Sequence, residues 1–381
     1  MIDFQPTDDQ LAILETVDRF MARRLPPEEQ RRRDLGHVPP YDLLPEMGEL
    51  GLLGLPFPEE FGGLAQDWQT VALVQERMGL RGRMAASILN RVLGFGGMSL
   101  MEYGSDAQRE AFLPGLIEGR LLFALALTEP DVGSDAAGVK LRAERTASGW
   151  RINGRKTWIS DAEGASHLVT IARTDPDATR HAGISALLVP TDAPGLTLTP
   201  IAKVGNNCMP SFEVLYEDVE ISEDALMGAE GQGFAAMSTT LKYGRGGLAA
   251  SCVGAAQRAV DLAVEHAKER VQFGRPIGAF QAVQHRLADM QMRVDQARFC
   301  CWHLAWLIAH EKPCGREASQ AKIVASEALQ YATHHGMQIL ASAGYAEESE
   351  MARLWRDARL FSFGEGANEI QRTLVAKGMG L

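Results

Sequence analysis

Apolar positions recur at a helical period over the first third of the chain, alternate through the middle, and return to a helical period up to the end. Residues 1 to about 122 read as helical. Ile13, Val17 and Phe20 follow three- and four-residue spacing behind Thr7, which forms a capping box with Gln10. Ser105 and Gln108 repeat the device ahead of Phe112, Leu113 and Leu116. Between them the proline and paired glycine of Pro58 to Gly63 mark a loop. From about 123 to 228 the period falls to two: Phe212, Val214 and Tyr216 alternate as a strand requires. His167 to Arg173 and Ile184 to Val189 are short branched runs, and Ala147-Ser148-Gly149 sits where a hairpin turn fits. No long helical pattern separates these strands, so parallel βαβ units are not expected and the middle reads as antiparallel.

From about 233 three long seams predict helices. Met290, Val294, Ala297, Cys301, Leu304 and Ile308 form one. Ala249, Val253, Ala256 and Val260 form a second, and Ala321, Ala325, Ala328 and Ala332 a third. Such helices pack as an antiparallel bundle. The expected class is α+β: a helical unit over 1–122, a β unit over 123–232 and a helical bundle over 233–381.

Composition narrows the function. The net charge of −11 disfavours nucleic acid and anionic membranes as partners. No stretch reaches the roughly 18 apolar residues of a membrane span. The start, Met1-Ile2-Asp3-Phe4, carries no signal-peptide core. The 5 cysteines form no CxxC pattern; they read as reduced thiols of a cytoplasmic protein. His303, His334 and His335 lack companions at ligand spacing, so no metal is expected.

Four stretches carry candidate chemistry. In Phe361-Ser362-Phe363-Gly364-Glu365-Gly366-Ala367-Asn368 one carboxylate stands between two glycines beside aromatics. A carboxylate in an apolar setting has a raised pKa and suits a general base; it also reads as a solvated loop residue. Leu125 to Asp135 is a strand that breaks at Pro130 into a Gly133-Ser134 turn, suited to a phosphate or a polar ring edge, or simply a strand exit. Trp158 and Ser160 share a strand face, where the tryptophan serves as core or as cofactor wall. Arg270 to Gln281 breaks one long helix and starts the next, as a diphosphate clamp or a solvated corner. No G-x-G-x-x-G opens a helix, and no P-loop is present.

Taken in order and spacing, these stretches, with Pro58 to Gly63, Gln338 to Tyr345 and Arg356 to Arg359, resemble the acyl-CoA dehydrogenase family over nearly the whole chain. The resemblance implies a helical domain, a β domain and a C-terminal four-helix bundle. It implies bound FAD, met by Leu125, Leu127, Thr128, Gly133, Ser134, Trp158, Ser160, Ala367 and Glu369. Arg270, Gln272, Phe273 and Gln281, with Gln338 and Ser342, would complete the FAD site across a homodimer or homotetramer interface. Ser134, Arg245, Gly364 and Gly366 would face the substrate, and Glu365 would be the base. The implied activity is α,β-dehydrogenation of an acyl-CoA thioester in fatty or carboxylic acid catabolism, with electrons passed to an electron-transferring flavoprotein. An acyl-CoA oxidase, an enoyl-CoA reductase and a non-catalytic scaffold are the alternatives.

Three positions depart from the family. Ala341-Ser342 stands where Gly-Gly is usual, Gly364 where an aromatic is common, and Ala367 where threonine is common. Some relatives carry the base at the position of Gly244, which has no side chain. Gly364 and Gly244, with Gly94, Gly96 and Gly97, suggest room for a wide, branched or cyclic acyl group.

Overall fold

The computed structural model describes residues 4–381, apart from the side chain of Thr239. Six helices come first: α1 (Asp8–Arg24), α2 (Pro27–Gly36), α3 (Leu44–Glu49), α4 (Trp68–Asn90), α5 (Met98–Tyr103) and α6 (Asp106–Ile117). Both expected capping boxes are made, Thr7 with Gln10 and Ser105 with Gln108. Arg91–Gly97 joins α4 to α5 as a π-helical turn, a rare winding often found at functional sites.

The middle of the chain forms one sheet of β1 (Phe123–Ala126), β2 (Arg142–Arg145), β3 (Gly149–Ser160), β4 (His167–Arg173), β5 (Ile184–Pro190), β6 (Leu196–Pro200), β7 (Ser211–Ser222) and β8 (Leu226–Met227). Their order is β6-β7-β3-β2-β4-β5-β8, with β1 against β4. β2 and β3 make the expected hairpin across Thr146–Gly149. The sheet is mostly antiparallel, with one correction. β1 runs parallel to β4 from Phe123↔His167 to Ala126↔Thr170, and β2 meets β4 in parallel at Arg142↔Arg173. The β2–β3 hairpin, not a helix, carries the chain between the parallel neighbours, so the absence of helical periodicity did not exclude them.

The last third is helical: α7 (Gly233–Glu269, 37 residues), α8 (Gln281–Ala309), α9 (Gly315–Leu340), α10 (Ser342–Tyr345), α11 (Glu350–Ala358) and α12 (Asn368–Gly378). A two-residue ladder, β9 (Val271–Gln272) with β10 (Arg275–Pro276), separates α7 from α8. The seams fall inside as expected, with Val253, Ala256, Val294, Ala297, Ala325 and Ala332 fully buried. The small residues of α7 allow close approach. A β carbon on Gly254 would lie 2.0 Å from the Glu76 carbonyl oxygen of α4, and one on Gly79 would lie 2.3 Å from that of Ser251. One apolar core therefore runs from the N-terminal helices into the bundle, and the sheet has its own around Trp150, Tyr216 and Leu187.

Candidate active site

The turn between α11 and α12 carries Glu365 into the seam between α4, α7 and α9. Glu365 and Gly366 are both left-handed, at φ 55 and 96. Glycine accepts that region freely, whereas glutamate there marks a strained position held by its surroundings. The holding groups are identifiable. Arg245 Nε of α7 donates to the Glu365 carbonyl at 3.3 Å, and Gln371 Nε2 donates to it at 3.5 Å. Lys322 Nζ of α9 donates to the Gly366 carbonyl at 2.8 Å and to Asn368 Oδ1 at 2.8 Å.

The carboxylate itself is left poorly satisfied. Asn90 Nδ2 makes one long contact to Oε1, 3.5 Å, while Oε2 is buried and takes no hydrogen bond from the described residues. Burial pushes the Glu365 pKa up, against the opposing charges of Arg91, Arg245 and Lys322. The backbone N–H of Glu365 has no acceptor among the described residues. A strained, buried carboxylate with an open oxygen and an open N–H beside it can take a proton and receive a carbonyl oxygen.

The apolar neighbour of the carboxylate differs from the expectation. Phe363 is exposed, and Phe361 lies under the Arg83 guanidinium, 4.2 Å from its centroid. The ring at the carboxylate is Phe95 of the π-helical turn. A β carbon on Gly244 would lie 3.1 Å from Glu365 Oε2 and 3.2 Å from Phe95 Cε1. The glycines expected to open a wide pocket are spent on close packing. Added β carbons would strike Gly244 Cα at 3.1 Å from Gly94, Phe123 Cβ at 3.3 Å from Gly96, and Phe57 Cζ at 2.1 Å from Gly97. The room inferred from Gly94, Gly96, Gly97 and Gly244 is taken by these neighbours, whereas a β carbon on Gly364 would meet only Leu360, at 3.3 Å and beyond.

From Phe95 a chain of contacts leads to the sheet. The Arg91 guanidinium lies 5.1 Å from the Phe95 centroid, and its Nε donates to Asp161 Oδ2 at 3.0 Å. Asp161 follows Ser160 at the end of β3. Trp158, two residues before Ser160, occupies a bulge at φ 60 and leaves its indole 55% exposed. Thr157 N donates to the Thr128 carbonyl at 2.8 Å, which sets Trp158 beside the Leu127–Ser134 stretch. That stretch is held by buried Lys156, whose Nζ donates to the Leu127 carbonyl and to Glu129 Oε1, each at 2.8 Å. At its tip Gly133 and Ser134 are exposed, and a β carbon on Gly133 would meet nothing within 4 Å. Exposed indole and hydroxyl next to an unobstructed turn fit a flat, phosphate-bearing group. Leu125 is partly buried and lines a small apolar cavity with Phe95, Met237 and Thr240. Ala367 and Glu369 flank the N-terminus of α12.

The remaining predicted residues are not brought to this place. Arg270 lies 26 residues beyond Gly244, about 39 Å along α7 at 1.5 Å per residue. With it go Gln272, Gln281 and Phe273, whose ring is 92% exposed. Gln338 and Ser342 are exposed at the far end of α9. Within one chain these groups and Glu365 lie in two separate places. Arg91, Asn90, Lys322 and Gln371 around Glu365 were missed in the sequence. Lys322 gave a signal, a charge within the Ala321–Ala332 seam, where a solvated lysine has no place.

The helical–β–helical chain thus carries a strained carboxylate with an enclosed oxygen between its helices and an exposed tryptophan on its sheet. Family models agree over almost the whole length: the acyl-CoA dehydrogenase N-terminal domain matches residues 7–120, the middle domain 124–219 and the C-terminal domain 231–380. The chain belongs to the acyl-CoA dehydrogenase family and is an oxidoreductase. It is 38% identical over 377 residues to the probable acyl-CoA dehydrogenase YngJ of Bacillus subtilis strain 168, covering 99% of each. It is 37% identical to the human mitochondrial short-chain specific acyl-CoA dehydrogenase, covering 96% of this chain and 88% of that protein. Among solved structures, butyryl-CoA dehydrogenase from Megasphaera elsdenii superposes with a TM-score of 0.95 at 32% identity, covering 100% of both chains. A chain reported under the electron transferring flavoprotein of Acidaminococcus fermentans superposes at 0.96 with 32% identity, covering 99% of both. The FAD complex of PigA gives 0.95 at 28% identity over 100% of both.

Proposed function

We propose that this protein is an FAD-dependent acyl-CoA dehydrogenase that uses Glu365 as its base and acts on a short acyl group. The observation that carries this is the Glu365 carboxylate, half-buried with Oε2 enclosed and unpartnered, under the field of three cations. It would remove the α proton of the thioester. The open Glu365 N–H would receive the carbonyl oxygen, whose charge grows as the proton leaves. Arg245 holds the backbone of the turn and so fixes the direction of the carboxylate. Bound FAD supplies the acceptor for the β hydride. Leu127, Thr128, Gly133, Ser134 and Ser160 would hold it, with Trp158 against its ring and Ala367 and Glu369 at the near end of α12. Gly364, Gly366 and Ser134 would border the thioester.

A short acyl group is supported by the short-chain and butyryl names of the relatives and by the Phe95 ring packed with the carboxylate against Gly244. Passage of electrons to an electron-transferring flavoprotein rests on the Acidaminococcus likeness. The distance from Arg270, Phe273, Gln281 and Gln338 to the base supports a homodimer or homotetramer, in which one copy's hairpin completes another's FAD site. The cysteines are all free, in keeping with a cytoplasmic setting. Among the described residues no helix is long and apolar enough to cross a membrane.

The test is anaerobic titration of the purified, FAD-loaded protein with butyryl-CoA and with branched and cyclic acyl-CoAs. Bleaching of flavin absorbance by butyryl-CoA at low concentration is expected, with weak response to the wider groups. Absence of bleaching by every acyl-CoA would refute the function, and preference for the wider groups would refute the short pocket. Full turnover with oxygen alone would make the protein an oxidase.

A further inference from the structure

Lys322 is a lysine with no access to water, 0% exposed on the inward face of α9. A buried ammonium is costly unless every donor is used. Here its contacts go to the turn that bears Glu365: the Gly366 carbonyl and Asn368 Oδ1, each at 2.8 Å. Asn368 is held in turn, since its Nδ2 donates to Ser326 Oγ at 3.1 Å and Ser326 donates to the Ile323 carbonyl at 3.0 Å. Gln371 Nε2 shares the Gly366 carbonyl at 3.4 Å. The lysine therefore grips the carbonyl of the residue directly after the base, while Arg245 holds the carbonyl of Glu365 itself.

We propose that Lys322 is a positioning residue for the proton-abstracting turn: its ammonium locks the Gly366 carbonyl and supplies one of the three positive charges that favour an ionised Glu365. Two backbone residues in left-handed conformation, one of them not glycine, need such a clamp. Holding the Gly366 carbonyl on α9 keeps the Glu365 carboxylate in its place against Gly244, beside Phe95. The charged groups facing Glu365 are Arg91 from the π-helical turn, Arg245 from α7 and Lys322 from α9. Those facing Lys322 are Glu365, Cys252, Arg245 and Glu369. Burial draws the Lys322 pKa down to about 8, which leaves it charged at neutral pH.

The inference rests on Glu365 being the base, and the experiment separates the two. Rapid-mixing flavin reduction by butyryl-CoA is followed against pH in wild type, Glu365→Gln, Lys322→Met, Lys322→Arg and Asn368→Asp, all FAD-loaded. Lys322→Met removes clamp and charge together. It is expected to reduce flavin on the order of 10- to 100-fold more slowly, with little change in half-saturating substrate, and to move the acid limb to higher pH. Lys322→Arg keeps the charge and disturbs the clamp, so the rate falls while the limb stays. Asn368→Asp sets an anion against the ammonium and moves the limb upward with the lysine intact. Infrared difference spectra of each protein against its Glu365→Gln counterpart follow the carboxyl directly, and the same upward move is expected there. A folded Lys322→Met with wild-type rate and limb overturns the proposal. If that variant does not fold, an unmoved limb in Asn368→Asp overturns it. A Glu365→Gln enzyme as fast as wild type refutes the base instead.

Discussion

Gly244 of α7 backs directly onto the Glu365 carboxylate. A β carbon at Gly244 would sit 3.1 Å from Oε2 and 3.2 Å from the Phe95 ring. Gly244 is the floor beneath the carboxylate that the α11–α12 turn supplies. Two carboxylates cannot share that space, and the glycine is what admits the one from the turn.

Gly244→Ala should therefore keep the fold and slow flavin reduction, by roughly tenfold, because the carboxylate or the ring must shift by a few tenths of an ångström. Reduction by acyl-CoA in the variant, compared with its melting temperature, checks this. An unchanged rate would mean that Glu365 has slack at the site.

Gly97→Ala tests the packing account of the π-helical turn. Its β carbon would fall 2.1 Å from Phe57 Cζ, inside a fully buried ring. A loss of about 1–3 kcal/mol is expected from overpacking, seen in denaturant unfolding. If Gly97 lined an acyl pocket, the variant would narrow substrate range and leave stability alone.

How much of this was legible follows from where the signal lies. Capping boxes, the β2–β3 hairpin and the bundle seams are local patterns, and the structure reproduces them. Glu365, a carboxylate between glycines, fitted a solvated loop residue as well as a base, and only the order and spacing of the other stretches singled it out. The glycines of residues 94–97 misled because a missing side chain has two causes, a cavity or a close neighbour, and only the fold separates them. Phe57 and Phe123, which fill those places, are distant in sequence. The parallel β1–β4 pair escaped for the same reason: pairing across 44 residues, as at Phe123↔His167, leaves no local trace. Arg91 and Asn90 gave no sign, since one opens a π-helical winding that has no period to read and the other ends the helix just before it.

Ala341→Gly should stabilise the protein. Ala341 holds φ 52 and ψ −131 after α9, backbone that glycine adopts without strain. Relief of about 1 kcal/mol is expected, measured as a higher melting temperature. A lower one would mean that the alanine methyl makes a contact worth more than the strain.

The raised Glu365 pKa has two consequences of known sign. The base must be ionised, so flavin reduction should fail as pH drops through that pKa, with an acid limb above the usual glutamate value of about 4.3. Because burial favours the protonated carboxyl, the stability it contributes is present at low pH and lost as pH rises through the folded-state pKa. Glu365→Gln, neutral at every pH, should therefore melt higher than wild type at pH 7, and the gap should close in acid. A variant less stable at pH 7 would contradict the buried-anion reading.

The most direct test of the account is single-turnover mixing of FAD-loaded wild type and Glu365→Gln with a short acyl-CoA, followed at the flavin absorbance. The account predicts rapid bleaching in wild type and a loss on the order of 10²–10⁴-fold or more in the variant, with its flavin spectrum and fold intact. Bleaching at the wild-type rate by Glu365→Gln would contradict it and place the base elsewhere.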